Sequence, residues 1–125
     1  MKRHVLSAAG AIALGAAVTA TAVAHDAGRP AAHAARTHVV RIGEYYFRPK
    51  QLTIHAGDSV RFINTGKIEH TVADSTKGGA IRSQIIHPRP LKRGRSQSVT
   101  FRAAGTVYYV CTFHPSMMRG VITVR

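Results

Sequence analysis

The sequence predicts an all-β fold, a single-domain Greek-key antiparallel β-sandwich, and three observations carry this prediction. After residue 37 the chain consists of short runs rich in β-branched and aromatic residues, several of which alternate apolar and polar side chains. Glycine-containing turns separate these runs at short intervals. No stretch in this part of the chain has the apolar period of a helix. Six or more strands in so short a domain are typical of a two-sheet sandwich.

Residues 1–24 have the pattern of a secretory signal peptide. Lys2 and Arg3 precede an apolar run rich in Ala, Val and Leu, and Ala22, Val23 and Ala24 form a small-x-small cleavage site. A membrane anchor fits less well, because the most apolar part of the run is short for a bilayer span. The sequence therefore predicts an exported protein, periplasmic or extracellular, that is cleaved after Ala24.

Residues 25–37 are predicted to form a flexible tether, because they are small, polar and interrupted by Gly and Pro. The folded domain is expected over residues 38–125. A mature chain that begins at His25 offers an α-amine and an imidazole, a pair that can chelate copper, although nothing else in the tether builds a pocket. The remaining histidines outside the candidate site are expected on the surface: His33, His38, His55 and His87.

The predicted strands share a high content of Val, Ile, Thr, Tyr and Phe. They are 38–42, 51–55, 59–63, 98–102, 106–110 and 121–124. The predicted turns between them are 56–58, 65–67, 77–79 and 104–105. A domain of this size is large enough to bury a core between two sheets.

The clearest functional signal is a group of three soft or borderline metal ligands just before the last predicted strand. Cys111, the only cysteine of the chain, is followed within seven residues by His114 and a methionine. A lone cysteine is usually a small buried apolar residue, but a thiolate, two neutral imidazoles and a thioether together form a known type of copper site. His70, at the end of an upstream polar loop, offers the second imidazole. Zinc is disfavoured because closed zinc sites have no use for a thioether.

These residues also carry a resemblance to a known family. The segment 107–124 resembles the C-terminal copper loop and last strand of the cupredoxins, the small blue copper proteins, in particular their amicyanin/plastocyanin-like members. The run from Val60 through Asn64 to His70 is similar to the first ligand loop of the family, including the spacing from Asn to His. Further similar segments are 91–94, 98–101 and 104–108. The likeness covers residues 38–125.

The resemblance implies one copper that cycles between Cu(I) and Cu(II), with His70, Cys111 and His114 as its three equatorial ligands. The axial ligand is a methionine, and two neighbours compete for the role. Met118 is preferred, because it fits the Met-x-Gly frame of the family and lies four residues after His114, as in azurin-like loops. Met117 is the alternative, because many close relatives place the methionine three residues after the histidine.

Two residues beside His70 depart from the family pattern. Thr71 stands where many members have an asparagine that ties the two ligand loops together, and its hydroxyl is expected to replace only part of that hydrogen bonding. Glu69 stands where amicyanin-like chains often have proline. A solvated loop charge is the preferred interpretation of Glu69, and a partly buried carboxylate that lowers the reduction potential is the alternative.

The resemblance implies a one-electron carrier between larger redox proteins, not an enzyme. Docking is expected near His114, through an apolar patch to which Phe113, Pro115 and Met117 contribute. A copper carrier or copper-resistance protein of the same fold is the alternative function. A copper oxidase or nitrite reductase is disfavoured, because the chain has ligands for one copper site and no open coordination position for a substrate.

The charge of the chain indicates the kind of partner. Of 18 basic residues, Lys2 and Arg3 leave with the signal peptide, so the mature chain has 16 basic and 5 acidic residues and a formal charge of +11. Such a charge favours brief, salt-dependent docking of a monomer to an acidic redox protein. An anionic cell surface is a second possible binding partner for so basic a chain. Nucleic acid is not expected, because no recognition motif is present. The densest basic cluster, 92–95, is predicted to be a solvated turn.

Overall fold

The computed structural model describes residues 10–19 and 33–125. The chain divides into two compact units, residues 1–31 and 32–125. In the first unit the described residues, 10–19, form no helix or strand. No helix in the described ranges is long and apolar enough to cross a membrane. The predicted cleavage site after Ala24, His25 and most of the predicted tether lie outside the described residues, so these boundaries stay predictions.

The second unit contains eight strands in two four-stranded sheets. They are β1 (Thr37–Gly43), β2 (Tyr46–Arg48), β3 (Gln51–Ile54), β4 (Ser59–Asn64), β5 (Ala73–Ser75), β6 (Ser96–Thr100), β7 (Gly105–Val110) and β8 (Arg119–Val124). The strand order is β2-β1-β4-β6 in one sheet and β3-β8-β7-β5 in the other. The predicted all-β sandwich is confirmed.

Each sheet is mixed rather than purely antiparallel. The pairs β1/β4 and β3/β8 are parallel, and the other four pairs are antiparallel. The parallel pairs arise because the chain crosses to the opposite sheet between the two partners: β3 lies between β1 and β4 in sequence but belongs to the second sheet. A strand that returns after such a crossover can run in the same direction as its neighbour.

The core lies between the two sheets and is formed by alternate side chains of their strands. Its largest fully buried side chain is Tyr109 of β7, whose ring packs edge-on against Phe47 and Phe62 at centroid distances of 4.8 and 5.3 Å. Gly120 of β8 lies opposite Tyr109 in the β7/β8 pair. A β-carbon at position 120 would overlap the Tyr109 ring, so glycine here leaves room for the ring.

Candidate metal centre

The four predicted copper ligands lie on two loops at one end of the sandwich. His70 belongs to the loop that follows β4, and Cys111, His114 and Met118 belong to the loop between β7 and β8. The structure brings the loops together: Cys111 Sγ lies 3.9 Å from His70 Nδ1, and the rings of His70 and His114 are 6.0 Å apart between centroids. The thiol and the two imidazoles predicted from the sequence therefore form one cluster.

Backbone hydrogen bonds fold the β7/β8 loop so that its ligand residues stay close. The His114 amide donates to the Cys111 carbonyl at 3.2 Å, and the Met118 amide donates to the His114 carbonyl at 2.9 Å. The Cys111 amide in turn donates to the Met118 carbonyl at 3.1 Å. These bonds close a compact turn, and β7 and β8 hold its two ends at a fixed separation.

The two candidate methionines have different environments. The side chain of Met118 is fully buried with the core residues, whereas Met117 is 62 % exposed. His70 and Cys111 are also fully buried, and His114 is half-buried. Met118 therefore shares the buried environment of His70 and Cys111, which favours it over Met117 as a ligand.

Thr71 ties the two ligand loops together and contacts the cysteine sulfur. Its amide lies 3.5 Å from Cys111 Sγ, in position to donate a hydrogen bond. Its hydroxyl accepts a bond from the Thr112 amide at 2.8 Å and shares another with the Thr112 hydroxyl at 2.6 Å. An N–H group that donates to sulfur stabilises the thiolate, the form that binds metal.

Asn64, the last residue of β4, organises the loop that carries His70. The buried amide group of Asn64 donates to the carbonyls of Ile68 and Leu91, both at 2.7 Å, and accepts from the Gly66 amide at 2.8 Å. His70 and Leu91 also exchange two backbone hydrogen bonds, of 3.1 and 2.8 Å. Asn64 and Leu91 thus fix the loop and the backbone of His70.

Glu44, in the turn between β1 and β2, is a residue of the site that the sequence reasoning missed. Its carboxylate accepts hydrogen bonds from the amides of Lys67 and Ile68, and its Oε1 lies 3.6 Å from His70 Nε2. A β-carbon at Gly66 would overlap the carboxylate, so glycine there admits it. The carboxylate that faces the histidine ring is therefore Glu44, and not Glu69, the one considered from the sequence.

Tyr45, the neighbour of Glu44, was missed as well. Its ring packs edge-on against His114 at 4.8 Å and lies 6.4 Å from the ring of His70. Tyr45 and Glu44 reach the site because β2 pairs with β1 and places their turn beside the ligand loops. The sequence at this turn has neither a typical turn dipeptide nor a ligand pattern, so no signal pointed to it.

The charge state of His70 suits a metal ligand. Burial lowers the pKa of His70, and nearby His114 lowers it further. The Glu44 carboxylate raises this pKa, but the net result is a pKa below the ordinary value. The hydrogen bonds from Ile68 and Lys67 lower the pKa of Glu44, which keeps it ionised. A neutral imidazole has a lone pair free to bind a metal ion.

The donor set fits copper. Within the described residues, His70 Nε2 is a buried nitrogen that has no hydrogen-bond partner, and Glu44 is the carboxylate 3.6 Å from it. A metal ion on Nδ1 requires the proton to reside on Nε2, where it faces this carboxylate, an arrangement common to metal-binding histidines. A buried thiol, two imidazoles and a buried thioether complete a set that favours copper over other metals.

Comparisons with known proteins agree with this geometry. The model of the copper binding proteins, plastocyanin/azurin family, matches residues 34–125. The chain belongs to this family, the cupredoxins. Copper is accordingly its cofactor.

The relatives of this cupredoxin include plastocyanins and amicyanins. It is 34 % identical over 88 residues to a plastocyanin of Scenedesmus fuscus, which covers 66 % of this chain and 90 % of the relative. It is 33 % identical to amicyanin-alpha of Methylorubrum extorquens, with 69 % of this chain and 70 % of the relative covered. The crystal structure of amicyanin from Paracoccus versutus superposes with a TM-score of 0.59 at 30 % identity, covering 79 % of this chain and 87 % of that one.

The surface of this cupredoxin next to His114 is apolar. Phe113 is 51 % exposed, Tyr45 is 45 % exposed, and Met117 and half-buried Pro115 lie on the same loop as His114. The expected patch around His114 thus includes Tyr45 as an additional member. The basic turn 92–95 is exposed, as expected for a solvated turn.

The four histidines expected on the surface differ from one another. His33, His55 and His87 are exposed. His38 is half-buried, and its Nε2 lies 2.9 Å from a carboxylate oxygen of Asp58. His38 belongs to β1. The pairing of β1 with β4 places it opposite Val60, near the start of β4.

Proposed function

We propose that this cupredoxin is an exported electron carrier that holds one copper through His70, Cys111, His114 and Met118. The observation that carries the proposal is the cluster itself: a buried thiol 3.9 Å from a buried imidazole, with a second imidazole and a buried thioether on the same short loop. The predicted signal peptide, residues 1–24, supports export to the periplasm or the cell exterior.

The protein contributes a rigid frame. Copper bound to this ligand set supplies a one-electron couple between its cuprous and cupric forms. His70 is held by Asn64 and Leu91, and Cys111 is held by Thr71 and by the closed β7/β8 turn. Because these contacts hold the ligand residues from outside the centre, little rearrangement of the protein is expected when the charge of the centre changes. Small rearrangement favours fast electron transfer.

Electrons are expected to enter and leave through His114. It is the one residue of the proposed ligand set whose side chain reaches the surface, and Phe113, Met117 and Tyr45 provide apolar surface around it. A small apolar patch suits a short-lived complex. The basic character of the chain favours an acidic redox protein as the partner, with an association rate that falls as salt is raised.

A copper carrier or copper-resistance protein is the alternative. Such a protein must release its metal, whereas three of the four proposed ligands, His70, Cys111 and Met118, are buried, and hydrogen bonds hold the two ligand loops together. An enzymatic role is not proposed, because the four ligands fill the coordination positions and leave none for a substrate.

The test is whether the metal stays bound while its oxidation state changes. The mature protein is loaded with one equivalent of cupric ion, reduced with ascorbate, passed over a desalting column in the presence of a cuprous chelator, and reoxidised. We expect copper to remain at one per chain and the absorption spectrum to return over repeated cycles. Loss of copper to the chelator in the reduced state would contradict the electron-carrier proposal and favour the copper carrier.

A further inference from the structure

We propose that His33, His55 and Asp58 form a second metal site, for one borderline divalent cation such as Zn²⁺, at the opposite end of the sandwich from the copper centre. The ligand atoms of the three residues all lie within 4.8 Å of one another. Asp58 directly precedes β4, and His70 lies beyond its other end. A strand of six residues is about 20 Å long, so the two sites are separate and the proposal does not depend on the copper ligands.

The two oxygens of Asp58 have different surroundings. The side chain is fully buried. Its Oδ2 lies 2.9 Å from His38 Nε2 and accepts a hydrogen bond from the His55 amide at 3.1 Å. Its Oδ1 accepts from the Arg36 amide at 2.9 Å and lies 2.9 Å from His33 Nε2. The contacts of Oδ2 and the Arg36 amide fix the carboxylate, so Oδ1 is held in place toward the His33 imidazole.

The two imidazoles of the site lie side by side. The rings of His33 and His55 are 4.3 Å apart between centroids and tilted by 32°. Both residues are exposed, so an ion can enter from solvent. Two ligands of one tetrahedral zinc ion are separated by about 3.3 Å, given zinc bonds of about 2.0–2.1 Å. The 2.9 Å between His33 Nε2 and Asp58 Oδ1 is close to that separation.

Binding would replace the contact between His33 and Asp58 by bonds from both residues to the ion. His33 Nε2 and Asp58 Oδ1 lie 2.9 Å apart. In the bound form the neutral His33 imidazole carries its proton on Nδ1 and offers the lone pair of Nε2, while the ionised carboxylate offers Oδ1, so the imidazole proton stays on the ring. A nitrogen of His55 is the third ligand, and a water molecule completes a tetrahedral set of two imidazoles and a carboxylate. His38 keeps its contact with Oδ2, the carboxylate oxygen that does not bind the ion, and so helps to fix the orientation of the carboxylate.

The bound ion would link the segment that precedes β1 to the β3/β4 turn. His33 lies four residues before β1, and His55 and Asp58 lie at the two ends of that turn. Because the ligands meet only in the folded chain, a cation bound there raises the stability of the fold. The bound cation would therefore hold the segment before β1 against the β3/β4 turn.

The test is a calorimetric titration with Zn²⁺ of the full mature chain, loaded with one equivalent of copper and kept reduced. We expect one zinc ion per chain, with an affinity at least tenfold lower in His33→Ala and in His55→Ala. His87→Ala, which removes an exposed histidine elsewhere, should leave the affinity unchanged. Circular dichroism of each variant establishes that it is folded.

Two further measurements keep the result specific. In nuclear magnetic resonance spectra of the reduced protein, added Zn²⁺ should shift the imidazole signals of His33 and His55 but not those of His114. His25→Ala tests chelation at the mature amino terminus. The proposal would be overturned if zinc did not bind, if it bound equally well to the His33→Ala/His55→Ala double variant, or if His25→Ala alone abolished binding.

Discussion

Two neighbouring methionines in the copper loop have opposite environments, and this contrast favours Met118 as the axial ligand. Met118 is fully buried and Met117 is largely exposed. Met118→Leu conserves the volume of the side chain, so the fold and copper binding should persist. Loss of the weak thioether donor should raise the reduction potential by tens of millivolts, since the axial ligand tunes the potential. Voltammetry measures this shift.

Met117→Leu is the matched control for this prediction. It removes a thioether from the same loop at an exposed position, and the potential should stay within a few millivolts of the wild-type value. A larger shift in Met117→Leu than in Met118→Leu would assign the axial position to Met117.

Glu44 places a negative charge beside the imidazole of His70, and this charge should favour the oxidised, more positive state of the centre. Glu44→Gln keeps an acceptor for the amides of Lys67 and Ile68 but removes the charge. We expect the reduction potential to rise by tens of millivolts, where about 59 mV corresponds to a tenfold change in a one-electron equilibrium constant. Glu69→Gln should have a smaller effect, and the opposite order of the two variants would refute this role of Glu44.

The residues proposed to bind the metal could be selected from the sequence by their chemistry, and the residues around them could not. Cys111, His114 and Met118 are rare residue types at a short spacing, and His70 follows a loop similar to one in the family. Glu44, in contrast, is an ordinary carboxylate, distant in sequence from every ligand. Its role depends on the pairing of β2 with β1, which is a tertiary feature.

Among the elements, the β7/β8 pair connects the core to the copper loop, and Gly120 is its most constrained position. A methyl group there would overlap the ring of Tyr109, which Phe47 and Phe62 prevent from moving aside. We expect Gly120→Ala to lower the free energy of unfolding by about 1–3 kcal/mol, the usual cost of overpacking. Urea unfolding of the metal-free protein measures this change.

Gly78→Ala provides the control, because the nearest atom to a β-carbon there, Thr76 Oγ1, would lie at an ordinary contact distance of 3.8 Å. Its unfolding free energy should differ little from that of the wild type. Equal stability of Gly120→Ala and the wild type would show that the Tyr109 ring can move aside.

The β3/β4 turn depends on an ionised Asp58. The hydrogen bond with His38 and the amides of Arg36 and His55 hold the pKa of Asp58 well below its ordinary value of 3.8. A carboxyl group whose pKa is lower in the folded than in the unfolded state adds stability that is complete above the ordinary pKa. This stability is lost as the pH falls below that value toward the pKa of the folded state.

Thermal unfolding of metal-free protein across acid pH tests this dependence. The wild type should lose stability as the pH falls below about 4. Asp58→Asn should be less stable than the wild type at neutral pH, and the difference between the two should shrink at low pH. A constant difference at every pH would show that the charge of Asp58 does not contribute.

The longer strands could be predicted because each is long enough to show the side-chain pattern of a strand. Two short strands, β2 and β5, were not predicted. β2 and β5 have three residues each, too few to show an alternation, and all three residues of β5 are buried. The parallel pairing of β1 with β4 could not be predicted from the sequence either. It depends on which sheet each strand joins, and hydrophobic pattern does not encode that choice.

At the scale of the whole molecule, the sandwich separates its functional features. One end carries the proposed copper ligands and the apolar surface near His114. The other end carries Asp58 and the histidines that surround it. Of the carboxylates in residues 33–125, Asp58 and Asp74 are buried, so the accessible surface is more basic than the composition alone suggests. Such a surface supports the proposal that the redox partner is acidic.

The central claim is that Cys111 binds copper as a thiolate together with His70 and His114. The most direct test is the absorption spectrum of the mature protein titrated with cupric ion, with Cys111→Ser as the comparison. We expect an intense thiolate-to-copper band in the visible range that saturates at one copper per chain and is absent in Cys111→Ser. Weak d–d absorption alone in the wild type, or the same intense band in Cys111→Ser, would contradict the account.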